Sequence, residues 1–232
     1  MKLSGIDISY HNGDIDFSKL KSKVDFIIMR SGYGTKTTDS KEVKFDIYYE
    51  EAKKYNIPIG TYWYCYAKTP EEALLEAKTF LNKVKGKKFE FPVYYDVEEP
   101  YVLKSGKENV NAIIKVFCQE LEKNGYYPGL YCSANYLNNL ISDEVKNKYE
   151  IWVAHWGVDK PNYQGKWGLW QYSSKGHFDD IHSEFVDLDT LLQKSDIVNV
   201  SVPLTKDLAK LCIKKCNEMK RNNYGNASRI RK

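Results

Sequence analysis

The sequence predicts an irregular β/α barrel of the TIM type, followed by a short basic helical tail. Three observations carry this prediction. Eight short β-rich runs occur in order between residues 5 and 188, and helical patterns fill most of the gaps between them. Repeated β-then-α units imply a parallel sheet, and eight of them suggest that it closes. An open doubly wound sheet is the other architecture of this rhythm. Its usual phosphate-binding glycine pattern is missing after the first run.

Gly5-Ile6-Asp7-Ile8 reads as a first strand placed almost at the terminus, and Phe26-Ile27-Ile28-Met29-Arg30 as the second. A weak helix is expected over roughly residues 41–55. Ile59-Gly60-Thr61-Tyr62-Trp63-Tyr64 is the third strand. Thr69-Pro70-Glu71 then supplies a cap with proline in the first turn. The helix that follows carries Ala73, Leu74, Ala77, Phe80, Leu81 and Val84 on one face. Pro92-Val93-Tyr94-Tyr95-Asp96-Val97 is the fourth strand, with its proline where a missing N–H does least harm. Val110, Ile113, Ile114, Phe117, Cys118 and Leu121 repeat at helical spacing until Asn124-Gly125 stops them. Four more strands follow, at Gly129-Leu130-Tyr131-Cys132, Ile151-Trp152-Val153-Ala154, Gly168-Leu169-Trp170-Gln171-Tyr172 and Phe185-Val186-Asp187-Leu188. Residues 173–184 show no helical period, so the barrel should be irregular there. Residues 1–195 are assigned to the barrel and 196–232 to the tail.

Composition narrows the function classes. The 232 residues suffice for one domain with a full core. The net charge is +4, but residues 201–232 hold nine Lys/Arg against two Asp/Glu, leaving about −3 on residues 1–200 by subtraction. The body is slightly acidic and the tail basic. A solvated helix face explains such a tail as well as an anionic partner does. The basic residues lack an aromatic stacking platform, so no nucleic-acid partner is expected. The five cysteines are odd in number and form no CxxC, which argues against a disulfide framework or a zinc ribbon. Cys118 and Cys132 read as small core residues, and Cys212 and Cys216 share one helix face. No apolar run approaches the ~20 residues of a membrane span, so no membrane insertion is expected. The amino terminus does not read as a signal peptide. Synthesis in the cytoplasm and a monomeric state are the expectations.

The informative feature is the placement of acids. Asp7 lies in strand one, Asp96 closes strand four with Glu98 just beyond, and Asp187 lies in strand eight. Barrel active sites sit at the carboxyl ends of the strands. Strands one and eight are neighbours in a closed barrel, so Asp7 and Asp187 should be close. Asp96 and Glu98, two apart in extended chain, point to one side about 6–7 Å apart. Any one of these acids is most simply a cap or turn former. Four at one mouth favour function, because like charges held together raise at least one pKa. A carboxyl kept protonated can donate to a leaving oxygen while a neighbouring carboxylate stabilises the cation that develops on a sugar. Tyr62 and Tyr64 on strand three, with Tyr131, Trp152 and Gln171 on strands five to seven, are candidates to bind that sugar. For each of them, filling the barrel interior is an equally good reading. Arg30 would brace the acids. His11, His155, His177 and His182 form no HxxxH or HExxH pair, and GxSxG is absent, so neither a metal-dependent deacetylase nor a serine nucleophile is expected.

These motifs together resemble family 25 of the glycoside hydrolases, the muramidases of fungal and phage type. Gly5-Ile6-Asp7-Ile8-Ser9 is similar to the family's opening strand. Gly60-Thr61-Tyr62-Trp63-Tyr64 resembles its Gly-x-Tyr-x-Tyr strand, and Pro92-Val93-Tyr94-Tyr95-Asp96-Val97-Glu98 its Asp-x-Glu segment. Trp152-Val153-Ala154, Leu169-Trp170-Gln171-Tyr172 and Val186-Asp187-Leu188-Asp189 follow in the family's order, so the likeness spans about residues 3–192. It implies an irregular barrel that hydrolyses the β-1,4 bond between N-acetylmuramic acid and N-acetylglucosamine in bacterial peptidoglycan. It implies Glu98 as proton donor and Asp96 as assistant, orienting the substrate's N-acetyl group or stabilising charge. Asp7 and Asp187 would tune that pair and hold the sugar, with no metal or organic cofactor. Such a protein would reach the wall after release by a phage lysis pore or non-classical export. The tail resembles the start of a short wall-binding repeat. The other readings are a catalytically weak wall-binding protein and a glycosidase of another N-acetylated polymer such as chitin.

Overall fold

The computed structural model describes residues 2–35 and 41–192, which fall within one compact unit. The tail expected over residues 196–232, with Cys212 and Cys216, lies outside the described residues.

Eight strands close into a barrel in chain order. They are β1 (Lys2–Ile8), β2 (Phe26–Tyr33), β3 (Ile59–Tyr64), β4 (Val93–Asp96), β5 (Pro128–Ser133), β6 (Glu150–Ala154), β7 (Leu169–Gly176) and β8 (Val186–Leu192). The helices are α1 (Phe17–Leu20), α2 (Lys41–Lys54), α3 (Pro70–Lys83), α4 (Pro100–Leu103), α5 (Lys107–Lys123), α6 (Ala134–Asn139) and α7 (Asp143–Lys148). The Thr69 hydroxyl caps α3 by accepting from the Glu72 N–H, with Pro70 in its first turn. The apolar stripe of α5 is wholly buried, from Val110 through Leu121.

One expectation fails. The sheet is parallel from β1 to β7, but β8 runs antiparallel to both of its neighbours. The connection explains the reversal. Residues 177–185 form no helix, and a parallel return normally needs a crossover of about a dozen residues or more. The chain therefore turns back at the mouth instead of crossing the barrel. The consequence is functional, because the start of β8, and not its end, lies with the carboxyl ends of the other strands. Asp187 accordingly pairs directly with Asp7. Arg30 also does not end its strand, since β2 continues through a bulge between Arg30 and Gly32.

Strand β4 shows how the two faces divide. All four of its residues are buried. Tyr95 turns outward, stacks on Phe117 of α5 at 3.7 Å between centroids and donates to Glu76 of α3 at 2.8 Å. Tyr94 turns inward and meets Trp152 edge-on at 5.1 Å. Period-two alternation thus directs Asp96 to the interior with Tyr94. The inner layer has no spare room. A Cβ on Gly129 would lie 2.5 Å from the Tyr94 ring and 2.9 Å from the Glu150 carbonyl. Gly129→Ala should therefore destabilise the barrel by about 1–3 kcal/mol. Urea unfolding monitored by tryptophan fluorescence measures this; an unchanged midpoint would mean that the interior can yield.

Candidate active site

Asp7, Asp96, Glu98 and Asp187 all stand at one end of the barrel. Beyond β4 the chain stays in register: Cys65 N–H donates to the Asp96 carbonyl at 2.9 Å and Val97 N–H to the Tyr131 carbonyl at 3.1 Å. This extended path buries Val97 on the outer face and returns Glu98 to the side of Asp96. The two acids then differ in environment. Asp96 is buried, one of its carboxylate oxygens has no hydrogen-bond donor, and Glu98 opens to solvent at the mouth.

Both carboxyls are pushed above their ordinary range. Burial does most of this for Asp96, followed by the Glu98 charge, while the Arg30 guanidinium pulls it back. For Glu98, loss of water on its protein side comes first, then the Asp187 and Glu99 charges, again opposed by Arg30. Arg30 itself lies 4.7 Å over the Tyr10 ring.

A hydrogen-bonded floor lies between the acids. Gln171 donates through Nε2 to Asp7 at 2.8 Å, and its Oε1 accepts from the Tyr131 hydroxyl and the Trp156 indole, each at 2.9 Å. An indole N–H can only donate, so it fixes which way the amide faces. The Tyr131 hydroxyl also lies within bonding reach of Glu98, where its contact, like Arg30, works against the rise that burial and the Asp187 and Glu99 charges produce.

Asp189, two residues beyond Asp187, is the least anticipated part of the site. It is wholly enclosed, and one of its oxygens accepts from Trp152 Nε1 at 2.8 Å. The other oxygen has no donor, and the side chain lies within bonding reach of the Asp7 carboxylate. Two buried carboxylates in contact cannot both ionise without strong repulsion, so the pair holds one proton. Burial lifts Asp189 to about 8, and burial with the Asp189 and Asp187 charges raises Asp7. Burial also brings Asp187 to about 6.

The expected sugar-contacting residues separate into two groups. Tyr62, Tyr131 and Gln171 are buried just beneath the acids, and Tyr64 is half-buried, donating to Glu99 Oε2 at 3.2 Å. Trp152 is a correction: it is only 1% exposed, its ring sits 4.5 Å from Tyr131 and 5.8 Å from Tyr62, and it presents no face to a ligand. It supports the floor. Trp156, not singled out from the sequence, is 54% exposed beside Gln171 and offers the open indole that Trp152 does not. Its only signal is its place just past a strand end. Asp189 had a clearer one, since its two-residue spacing from Asp187 puts both on one face of β8.

Residues 6–181 match the sequence profile described as "Glycosyl hydrolases family 25". The chain belongs to that family. Among curated relatives, an autolytic lysozyme of Clostridium acetobutylicum is 30% identical over 188 residues, which cover 81% of this chain and 55% of the relative. The chain thus spans about half the length of that protein. Among solved structures, the family 25 chain is similar to the modular autolysin LytC of Streptococcus pneumoniae, at 27% identity and TM-score 0.70, covering 82% of this chain and 47% of that one. It is also similar to the catalytic domain of ply40, an endolysin of a Listeria monocytogenes bacteriophage. There the identity is 27% and the TM-score 0.65, with 86% and 96% covered. The family 25 segment thus contains the end of β1, all of β2 to β7 and three of the four acids, and β8 adds Asp187. No helix among the described residues is long and apolar enough to cross a membrane.

Proposed function

We propose that this protein is a muramidase, cutting the β-1,4 bond between N-acetylmuramic acid and N-acetylglucosamine in bacterial peptidoglycan. The observation that carries this reading is the unlike setting of two neighbouring carboxyls. Asp96 is enclosed, while Glu98 is open to a substrate and biased toward its protonated form. Glu98 donates its proton to the glycosidic oxygen, the bond from that oxygen to the anomeric carbon breaks, and water completes hydrolysis at that carbon. Asp187 supplies negative charge beside the developing cation, and Asp96 adds to it in its ionised form, which the Arg30 guanidinium favours. Asp7, held by Gln171 and Asp189, orients the sugar from below. The relatives support the substrate: one is named an autolytic lysozyme, and LytC was solved with a synthetic peptidoglycan ligand. The cell wall is accordingly the place of action.

The test is hydrolysis of purified peptidoglycan against chitin oligomers under one set of conditions. Cleavage of peptidoglycan with little or none of chitin is expected, and the reverse preference would replace muramidase by chitinase.

A pH dependence follows. Glu98 must carry its proton, so the rate should fall as pH rises through its elevated folded-state value. The Asp187 charge is among the causes of that elevation, so Asp187→Asn should move the alkaline limb of kcat/KM to lower pH. A limb that stays in place would show that another group sets it.

A further inference from the structure

The rim of the barrel carries an aromatic surface that this reaction does not use. Tyr66, following β3, and Tyr101, in the turn α4 after β4, are 40% and 39% exposed. Their rings lie within 15° of parallel with centroids 6.3 Å apart. Tyr64 continues the strip inward. Its ring is 5.0 Å from Tyr66, and its hydroxyl reaches Glu99, the neighbour of Glu98. The strip therefore runs outward from the acids without a break.

Its frame is tied at four backbone groups of a kind that a surface loop normally leaves to water. The Tyr66 N–H donates to Glu76 at 2.9 Å, and the Tyr66 carbonyl accepts from the Tyr101 hydroxyl at 2.8 Å. Lys68 N–H donates to Glu72 at 2.6 Å, and the Lys68 carbonyl accepts from Asn109 at 2.8 Å. Glu76 is the telling member. It is buried at 1% exposure, and its second oxygen takes the Tyr95 hydroxyl at 2.8 Å. Burying a carboxylate is unfavourable, and here it holds the backbone of an exposed tyrosine. The result is a pair of amphipathic rings whose positions are fixed before anything binds, which lowers the entropy lost on binding.

We infer that Tyr66 and Tyr101 form an outer sugar subsite, which stacks the apolar face of a pyranose ring belonging to the same glycan strand but lying outside the pair joined by the scissile bond. Continuity through Tyr64 selects this occupant over a protein partner. The assignment rests on the glycan-hydrolase reading above.

Calorimetric binding to the Glu98→Gln protein, which does not consume its ligand, tests it with a disaccharide and a tetrasaccharide cut from peptidoglycan strands. The tetrasaccharide should bind more tightly. Adding Tyr101→Ala should shrink the ratio of the two affinities by roughly tenfold. Tyr66→Ala, which leaves its backbone hydrogen bonds available, should do the same and guards against a folding defect in the first variant. An unchanged ratio in both, with the proteins folded, would overturn the subsite while leaving the muramidase reading intact. Failure of Glu98→Gln to bind either glycan would overturn the substrate assignment and the subsite with it.

Discussion

Glu98→Gln should lower the rate of peptidoglycan hydrolysis by about 10²–10⁴-fold, the usual worth of a general acid, with glycan binding retained. The amide fills the same space and can still hydrogen-bond the Tyr131 hydroxyl, but it has no acidic proton to transfer. The loss should appear in kcat more than in KM, because protonation of the leaving oxygen matters in the transition state and not in binding. Asp96→Asn should also be severe, and the double variant should be little worse than the poorer single one, since residues that act as a unit are not additive. Turbidity loss of wall suspensions at saturating and subsaturating substrate separates the two constants. Activity within a few-fold of wild type in Glu98→Gln would remove this residue from its role.

The second large effect concerns Asp189, where Asn and Val should part company. Asn leaves the pair its single negative charge, now on Asp7: its oxygen can accept from Trp152, and its amide can donate to the Asp7 carboxylate across the contact that the two acids make. Val makes neither, leaving a buried indole N–H without a partner and Asp7 without its support. Asp189→Val should therefore destabilise by about 1–3 kcal/mol for the orphaned group and lose most activity, whereas Asp189→Asn should retain it near pH 6.

The pH dependence gives the sign. The folded-state value of Asp189 is about 8 against 3.8 for a free side chain, so the folded protein binds the proton more tightly than the unfolded chain. That contribution to stability is fully present below about 4 and is lost progressively as pH rises toward 8. Asn has no such proton to lose. The melting temperature of Asp189→Asn relative to wild type should rise across that window and then level off. A difference that does not change with pH would mean that Asp7 and Asp189 do not share a proton.

The barrel was legible in the sequence because its strands are short β-rich runs separated by amphipathic helices. Both signals are local. The runs around Phe26, Ile59 and Val93 and the α5 stripe from Val110 to Leu121 appear where periodicity puts them. Strand direction is not local. Nothing within Val186–Leu192 says that it runs backwards, and only the absence of a helical pattern before it bears on the question. That Asp7 and Asp187 adjoin follows from closure in either direction, so the juxtaposition was readable while the orientation was not.

The site divides in the same way. The spacing of Asp96 and Glu98 places them on one side of an extended segment, but their unlike exposure depends on what surrounds the mouth. Trp152 and Trp156 show the limit most plainly. Both are indoles on or just beyond β6, and only the packed structure shows that one is enclosed and the other open. Glu76 lies on α3 at a position that helical periodicity alone would assign to an apolar residue. Its use becomes visible only when the Tyr66 N–H and the Tyr95 hydroxyl are found against it.

The most direct test of the central claim is to digest purified peptidoglycan with wild type and with Glu98→Gln and to identify the sugar at each newly formed reducing end. Muramic acid ends from wild type, and none from Glu98→Gln over the same time, are predicted. Glucosamine ends, or equal release of muramic acid ends by both proteins, would contradict the account.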